Sequence, residues 1–381
     1  MPVTAPTNSK TKSTPTPVPF LDLKAQFQTV REEVLAALGE VAESTAYVLG
    51  PKVQEFETAF ANYIGARHCV AVNSGTSALH LALLGAGVGA GDEVITVPMT
   101  FIATSWAISY VGATPRFVDV DPVTCTIDVE QIRKAINSKT KAILPVHLYG
   151  QPADLGPLLQ IANEHGIPLV EDVAQAHGAK YHEKSAGSLG QSGCFSFYPG
   201  KNLGAYGEGG AITTSDDAIA LRMRALRDHA QSERYRHREI GFNYRMDAIQ
   251  GAVLKIKLQH IEAWTEARRR LAQRYRELLA DLPLRLPQEA AGRRHVWHLF
   301  VVRHGERDRL RAELAEDGIQ TGLHYPIPLH LQQAYAHLGH QRGDFPVSEA
   351  IGDECFSLPL YPEMTHAQQD NVVAALRRAL S

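Results

Sequence analysis

Ala142-Ile143-Leu144-Pro145-Val146-His147 is followed by Leu155-Gly156-Pro157-Leu158-Leu159-Gln160-Ile161-Ala162-Asn163-Glu164-His165 and then by Pro168-Leu169-Val170-Glu171. An apolar run, a pattern with apolar residues three and four apart, and a second apolar run predict strand, helix and strand. Strands joined through a helix run parallel, and a parallel sheet has to be covered on both faces. The alternation continues outward. Strands are expected at Cys69 to Val72, Glu93 to Val97, Arg116 to Val120 and Cys194 to Phe197, and helices at Thr76 to Leu84, Ile102 to Tyr110 and Val129 to Ile136. The fold class is therefore α/β, with ligands expected where strands end and helices begin.

Beyond Asp247 the pattern changes to one long helical stretch, Ala248 to about Ala280, which reads as a connector. After Pro283 and Pro287 come an apolar run from Val296 to Val302, a helix from Arg307 to Asp317 and a closing helix from Ala367 to Leu380. These suit a smaller α+β domain, against which an N-terminal helix from Leu23 to Val48 is expected to pack. Residues 1–18, rich in Thr, Pro, Ser and Lys, are expected to be a flexible tail. The expected division is thus a tail over 1–18, a large domain over 19–250, and the connector helix with the small domain over 251–381.

Composition narrows the function. A chain of 381 residues, 44% hydrophobic and 21% charged, is that of an ordinary globular protein. Its formal charge of −3 shows no excess of basic residues for nucleic acid. No run of about eighteen apolar residues offers a membrane span. Cys69, Cys125, Cys194 and Cys355 show no CxxC spacing, so neither a metal site nor a disulfide framework is expected, and a reducing cytoplasm fits.

Chemistry concentrates at the strand ends. Asn73-Ser74-Gly75-Thr76-Ser77 follows a strand and opens a helix, offering backbone N–H groups to an anion such as a phosphate; alone, it reads equally as a helix cap. Phe101 stands at the next such junction, where its ring could lie on a planar ligand or join the core. Asp172 closes an apolar strand, where a carboxylate asks for a positive partner such as a pyridinium N–H; alone, it reads as a helix cap or a salt bridge to a neighbouring Arg. Gln175 follows three residues later. In Ser196-Phe197-Tyr198-Pro199-Gly200-Lys201-Asn202 a lysine sits on a glycine-rich loop after a strand, where its amine can form a Schiff base with an aldehyde. Any one of these residues is ordinary. Their order on alternating elements supplies the parts of a pyridoxal phosphate site. Gly241-Phe242-Asn243-Tyr244-Arg245-Met246-Asp247 reads as a polar cluster near phosphate or substrate, or as a loop whose Asp247 caps the long helix. His324 and Tyr325 lie beside an X-Pro turn and serve either a ligand or the structure.

The order of these motifs, from about Pro19 to the C-terminus, resembles the DegT/DnrJ/StrS family of nucleotide-sugar aminotransferases, pyridoxal phosphate enzymes of the aspartate aminotransferase fold type. The resemblance rests on Asn73 to Leu79, Glu171 to Ala179, Ser196 to Gly210 and Gly241 to Asp247. It implies a mostly parallel seven-stranded sheet between helices. It implies that Lys201 forms the Schiff base, Asp172 pairs with the pyridine nitrogen, Gln175 meets the 3-hydroxyl, and Gly75, Thr76 and Ser196 hold the phosphate, with Phe101 over the ring. The counterpart of Asn243 reaches the cofactor of the neighbouring subunit, which implies a homodimer with shared active sites. Relatives that act as dehydratases replace the lysine with histidine; Lys201 argues against that branch.

The implied reaction moves an amino group from L-glutamate to a nucleotide-linked keto sugar, with Lys201 carrying the proton and one site serving both substrates in turn. Residues Leu144 to Gln151 and Asn243 to Gln250 are similar to the subgroup acting on 3-keto-6-deoxyhexoses linked to dTDP, whose amino-sugar products enter surface glycans such as O-antigen or natural products; a 4-keto acceptor is the alternative. Tyr198, Arg245, His324 and Tyr325 are the candidate substrate contacts. A non-catalytic protein that holds the cofactor or sugar, and another reaction on the same cofactor, are the competing readings. The second lacks a cysteine beside Lys201 to act as a sulfur nucleophile.

Overall fold

The computed structural model describes residues 17–381. The sheet comprises β1 (His68–Val72), β2 (Glu93–Thr96), β3 (Thr114–Phe117), β4 (Thr140–Ile143), β5 (Val170–Asp172), β6 (Ser192–Ser196) and β7 (Gly210–Thr214). A three-stranded block ordered β3-β2-β4 and a four-stranded block ordered β5-β6-β7-β1 meet edge to edge. Single parallel bridges, Ile143 with Leu169 and Val146 with Asp172, join them. The whole is the expected seven-stranded, mostly parallel sheet: only β7 runs against its neighbours.

Period-two alternation sends successive strand residues to opposite faces. Val70, Val72, Val94, Ala142, Leu144, Cys194 and Ile212 pack with the helices α3 (Gly75–Gly85), α4 (Ala103–Tyr110) and α7 (Asp217–Arg227). Cys69, Ala71, Phe195 and Ala211 face the other way, against Phe56, Phe60, Leu254 and Ile261. Both faces are therefore apolar and both are covered. Phe60 meets Phe195 edge-on at 4.9 Å and Phe197 at 5.3 Å, so this ring packs directly behind the strand that leads to Lys201.

Helix α8 (Ala248–Leu278) runs from one core to the other: Leu254 and Ile261 belong to the large core, Leu271, Ala272 and Tyr275 to the small one. The small core is completed by the antiparallel pair β8 (Phe300–Arg303) and β9 (Cys355–Leu358), with helices α9 (Arg307–Glu316) and α11 (His366–Ala379). The latter begins with a full capping box, Thr365 and Gln368.

Several local expectations need correction. The N-terminal helix, α1 (Leu23–Ser44), stops before Val48 because Thr45 adopts a left-handed φ of 55°. Its buried Val30, Val34 and Val41 lie along α8, against Val253, Trp264 and Ala252, and not in the small core. That core receives instead the segment ahead of the helix, through Val18 and Leu21. A further helix, α2 (Gly50–Ile64), follows, which the single long helix had concealed; Pro51 fits its first turn. Strand β3 begins two residues earlier than Arg116 and includes Pro115, tolerated because β3 is an edge. The seventh strand, β7, lies behind the glycine run ending at Gly210 and shows no apolar pattern of its own length. Asp247 precedes α8 but its carboxylate makes no capping hydrogen bond. The tail over residues 1–18 lies outside the described residues except for Pro17 and Val18, and Val18 is buried and bridged to Ile319.

The aromatic packing gives a stability test. Phe60→Ala is expected to destabilise the protein by about 3–5 kcal/mol, read as a lower midpoint in thermal unfolding followed by circular dichroism. A change within error would show that the cluster behind β6 is not a principal support.

Candidate active site

The strand ends converge on one cavity of about 690 Å³. Gly75, Thr76, Phe101, Asp172, Gln175, Ser196, Tyr198, Lys201, His324 and Tyr325 line it, so ten of the twelve residues singled out from the sequence meet there. Asn243 and Arg245 do not. Asn243 is exposed beyond β1, where its backbone carbonyl accepts from Asn73 Nδ2 at 3.4 Å. Arg245 does not act as a cavity contact within the chain: its guanidinium pairs with Asp228 at 2.6 Å.

At the head of α3, Ser74 caps the helix by accepting from Ser77 N at 3.1 Å. A Cβ on Gly75 would lie 2.6 Å from the Cβ of Ser196, so only glycine lets this turn close against the end of β6. The first amides of the helix and the Ser196 hydroxyl are thereby brought together, a combination suited to a phosphate.

Glu171 and Asp172 are adjacent carboxylates with opposite surroundings, because strand neighbours face opposite sides. Glu171 is saturated: it accepts from the amides of Gly187, Leu189 and Gly190 and from His147 Nε2 at 2.9 Å. The His147 tautomer follows from its other ring nitrogen, which accepts from Ala153 N. Asp172, equally buried, receives only Thr104 Oγ1 at 2.8 Å and Ala174 N at 3.1 Å. Its backbone is fixed on the neighbouring strand, N–H to Pro145 O and carbonyl to His147 N, both at 3.0 Å. Burial pushes the Asp172 carboxyl up from its ordinary value, while Thr104, Ala174 N–H and Lys201 pull it back. A further positive group at this carboxylate would hold it ionised.

Lys201 stands on a tight loop. Phe197 N donates to Gly209 O, Lys201 N to Tyr198 O, and a Cβ on Gly204 would lie 2.2 Å from Pro199 O. Burial lowers its pKa to about 8, against the opposing pull of Asp172, so its amine reaches the free, nucleophilic form near neutral pH. The next residue, Asn202, donates from Nδ2 to Val296 O and so turns its Oδ1 to His298 Nδ1 at 3.1 Å. An acceptor there requires Nδ1–H, which leaves His298 Nε2 without a proton.

Gln175 is buried and committed. Its Oε1 accepts from Tyr149 N at 2.7 Å and its Nε2 donates to the Tyr325 hydroxyl at 2.9 Å. Tyr149 OH in turn donates to the backbone carbonyl of His324. His324 stacks on Phe20 and shares a hydrogen bond with Ser357 Oγ at 2.8 Å; burial, then Lys201, hold its pKa down at about 4, so its ring is neutral. Phe101 turns an exposed ring to the cavity 5.6 Å from Tyr325.

Thr104, Arg268 and His298 are the site residues that sequence reasoning missed. Thr104 lies within the expected helix Ile102 to Tyr110, where nothing points it at Asp172; Arg268 is one of several arginines on the long helix, and His298 lies in the apolar run Val296 to Val302.

A nucleophilic amine, a buried carboxylate short of donors and an anion cradle in one cavity fit a pyridine aldehyde carrying a phosphate, and define a pyridoxal phosphate enzyme. Residues 28–377 match the family model for the DegT/DnrJ/EryC1/StrS aminotransferase family, and the chain belongs to that family. It is 46% identical, over 94% of its length and 95% of the relative's, to the dTDP-3-amino-3,4,6-trideoxy-alpha-D-glucose transaminase of Streptomyces venezuelae. The crystal structure of S. venezuelae DesV, in complex with a ketimine intermediate, superposes with a TM-score of 0.93 at 46% identity, covering 95% of this chain and 98% of that one. NtdA of Bacillus subtilis, solved with its cofactor PMP, matches at 33% identity and a TM-score of 0.89, covering 96% and 85%. The protein is an aminotransferase whose cofactor is pyridoxal phosphate. Among the described residues no group of acidic, histidine and cysteine side chains is arranged to hold a metal, and no helix is long and apolar enough to cross a membrane.

The lowered pKa of Lys201 predicts how the cofactor-free protein captures pyridoxal phosphate. Below about 8 the amine is protonated and unreactive. The capture rate, followed by absorbance, should therefore rise roughly tenfold per pH unit towards 8 and level off above it. A rate still climbing steeply at pH 9.5 would contradict the assignment.

Proposed function

We propose that this aminotransferase moves an amino group from L-glutamate to a dTDP-linked 3-keto-6-deoxyhexose in the cytoplasm, making an amino sugar for a surface glycan or natural product. The observation that carries the reading is the meeting of Lys201, Asp172 and the Gly75–Ser196 cradle in one cavity, in a chain so similar to a dTDP-sugar transaminase. When bound, pyridoxal phosphate supplies an aldehyde that captures amines and a ring that accepts the electron pair left on carbon.

The chain's own residues supply the rest. Asp172 keeps the ring nitrogen protonated, and Thr104 and Ala174 N–H keep Asp172 ionised and oriented. The amides of Gly75 and Thr76 with the Ser196 hydroxyl hold the phosphate. Gln175, fixed by Tyr149, sets the position of Tyr325 and would meet the ring's 3-hydroxyl. Lys201 would hold the aldehyde as a Schiff base, and as an amine with a pKa of about 8 it could take and return a proton. Neutral His324, with Tyr198 and Tyr325, offers hydrogen bonds to the acceptor sugar without adding charge.

Exposed Tyr47, Val48, Phe101, Tyr110 and Tyr198 are more than half open in the single chain, and two of them line the cavity. That supports a homodimer with shared sites, in which Asn243 serves the partner's cofactor.

Lys201→Ala should reduce glutamate-dependent amination to background while leaving the circular dichroism spectrum unchanged; retained turnover would reject the reading. Offering the aminated form of the enzyme a panel of nucleotide-linked 3-keto and 4-keto hexoses identifies the acceptor by which sugar restores the cofactor's original absorbance. If sites are shared, equal mixing of Lys201→Ala and Asn243→Ala subunits should restore about a quarter of wild-type activity, since half the random dimers hold one intact site. No recovery from two inactive variants would contradict shared sites.

A further inference from the structure

A second cavity, of about 820 Å³, adjoins the catalytic one and shares Leu299 with it. Tyr149 lines the second and hydrogen-bonds to Gln175 and to the His324 carbonyl, both on the wall of the first. The enclosure is made by residues 122–125 after β3, the end of α8, residues 284–288 and β8. Leu284, Leu286, Val301 and Ile351 give it apolar sides. Nothing in the chemistry described above uses it.

Its polar groups differ with depth. Three arginines line it against one carboxylate, Glu277, which already accepts from Gln273 Nε2 at 2.8 Å. Arg303 is committed: its Nε and Nη2 lie 3.0 and 2.9 Å from Glu354 Oε2, and its Nη1 donates to Pro122 O. Arg285 stands at the mouth, its side chain 71% exposed and 3.6 Å from the same Glu354. Arg276, in the last turn of α8, has neither an ion pair nor a side-chain hydrogen bond among the described residues. The helix dipole accounts for a cation there, but its fork is free. Deep inside is His295, 3% exposed. Its Nδ1 accepts from Trp297 N at 2.8 Å, so Nε2 carries the proton. Nε2 has no acceptor in the protein, yet it is not among the polar atoms closed off without partners, so its N–H meets open space at the cavity wall. Burial, then Arg269, hold the ring's pKa at about 3, which makes it a neutral donor. Cys125 and Tyr149 on the wall, and Trp297 stacked 3.9 Å from His295, keep left-handed φ values of 57°, 60° and 47°; backbone of this kind gathers at ligand sites.

A buried N–H left unanswered is costly, and a free guanidinium fork matches a phosphate. Apolar sides accept a flat ring, the inner N–H takes a carbonyl oxygen of that ring, and the arginines at the mouth take an anion. The volume is that of a site for a small organic molecule. An inorganic anion would leave the apolar sides and His295 unanswered. We propose that this cavity binds a nucleoside phosphate, apart from the catalytic cavity, with a base carbonyl on His295 Nε2–H and the phosphate against Arg276 and Arg285. The assignment does not depend on which sugar the enzyme aminates.

Crystals of the holoenzyme soaked with dTMP locate the ligand, and calorimetry with the same nucleotide measures it in solution. The nucleotide is expected in this cavity, whatever it does in the catalytic one. In the titration Arg276→Glu should weaken one dTMP equivalent per chain about tenfold or more. It should leave kcat and KM of transamination within about twofold, because Arg276 lines no part of the catalytic cavity. His295→Asn, which keeps an acceptor for Trp297 N and withdraws the Nε2 donor, should weaken the same equivalent several-fold. If His295→Asn does not fold, Arg276→Glu decides alone. An empty cavity overturns the proposal, and so does a filled one whose titration is the same for Arg276→Glu as for wild type. Inorganic phosphate that competes as well as dTMP would reduce the cavity to an anion site and overturn the nucleoside assignment. A loss of transamination in step with the loss of dTMP binding would place the nucleotide in the catalytic cavity and overturn it too.

Discussion

An amine and a carboxylate held in the same buried cavity, close enough to feel each other but not paired, are what the rest of the structure is arranged to maintain. Lys201 and Asp172 each pull the other towards its charged form, while burial pushes both towards neutrality. Burial prevails for the lysine, leaving an amine with a pKa of about 8 that can act as nucleophile and base. For the aspartate, Thr104 and Ala174 N–H supply two donors and leave room for a third positive partner. A salt bridge between the two would satisfy both and disable the chemistry; the sheet keeps them on different strand ends.

That separation is produced by register. Asp172 ends β5 and is fixed by its own backbone hydrogen bonds to Pro145 and His147, just beyond β4, while Lys201 follows β6 on a loop closed by Pro199 and Gly204. Behind β6, Phe60 meets Phe195 and Phe197 edge-on. In front of it, the missing Cβ of Gly75 lets the head of α3 close on Ser196. The aromatic packing and the glycine thus act on the same strand from opposite directions, and both determine where the loop carrying Lys201 begins. Glu171 shows the contrast within one dipeptide: four donors saturate it and it stabilises the strand, whereas its neighbour keeps capacity for a ligand.

Much of this was legible in the chain because strand-helix alternation fixes which residues stand at strand ends. Asn73 to Ser77, Phe101, Asp172, Gln175 and Lys201 were found that way, and the cavity gathers Gly75, Thr76, Ser196 and the rest around them. Elements broken by backbone conformation were harder to read. The left-handed Thr45 splits what looks like one amphipathic helix, and the glycines before Gly210 hide β7, the strand that runs antiparallel in the large sheet. Contacts made only by tertiary approach carried no local signal at all. Arg268 sits among other arginines on α8, and nothing in that pattern tells which of them turns inward; His298 gains its fixed tautomer from Asn202, a residue far away in the chain. Nor does the motif around Arg245 give any hint of its ion pair with Asp228.

Reduction of the resting holoenzyme with borohydride, followed by peptide mass mapping, tests the central claim most directly. The account predicts one modified residue, Lys201, carrying the mass of the reduced cofactor at about one equivalent per chain. Modification of a different lysine, or none at all in protein that still transfers amino groups, would contradict it.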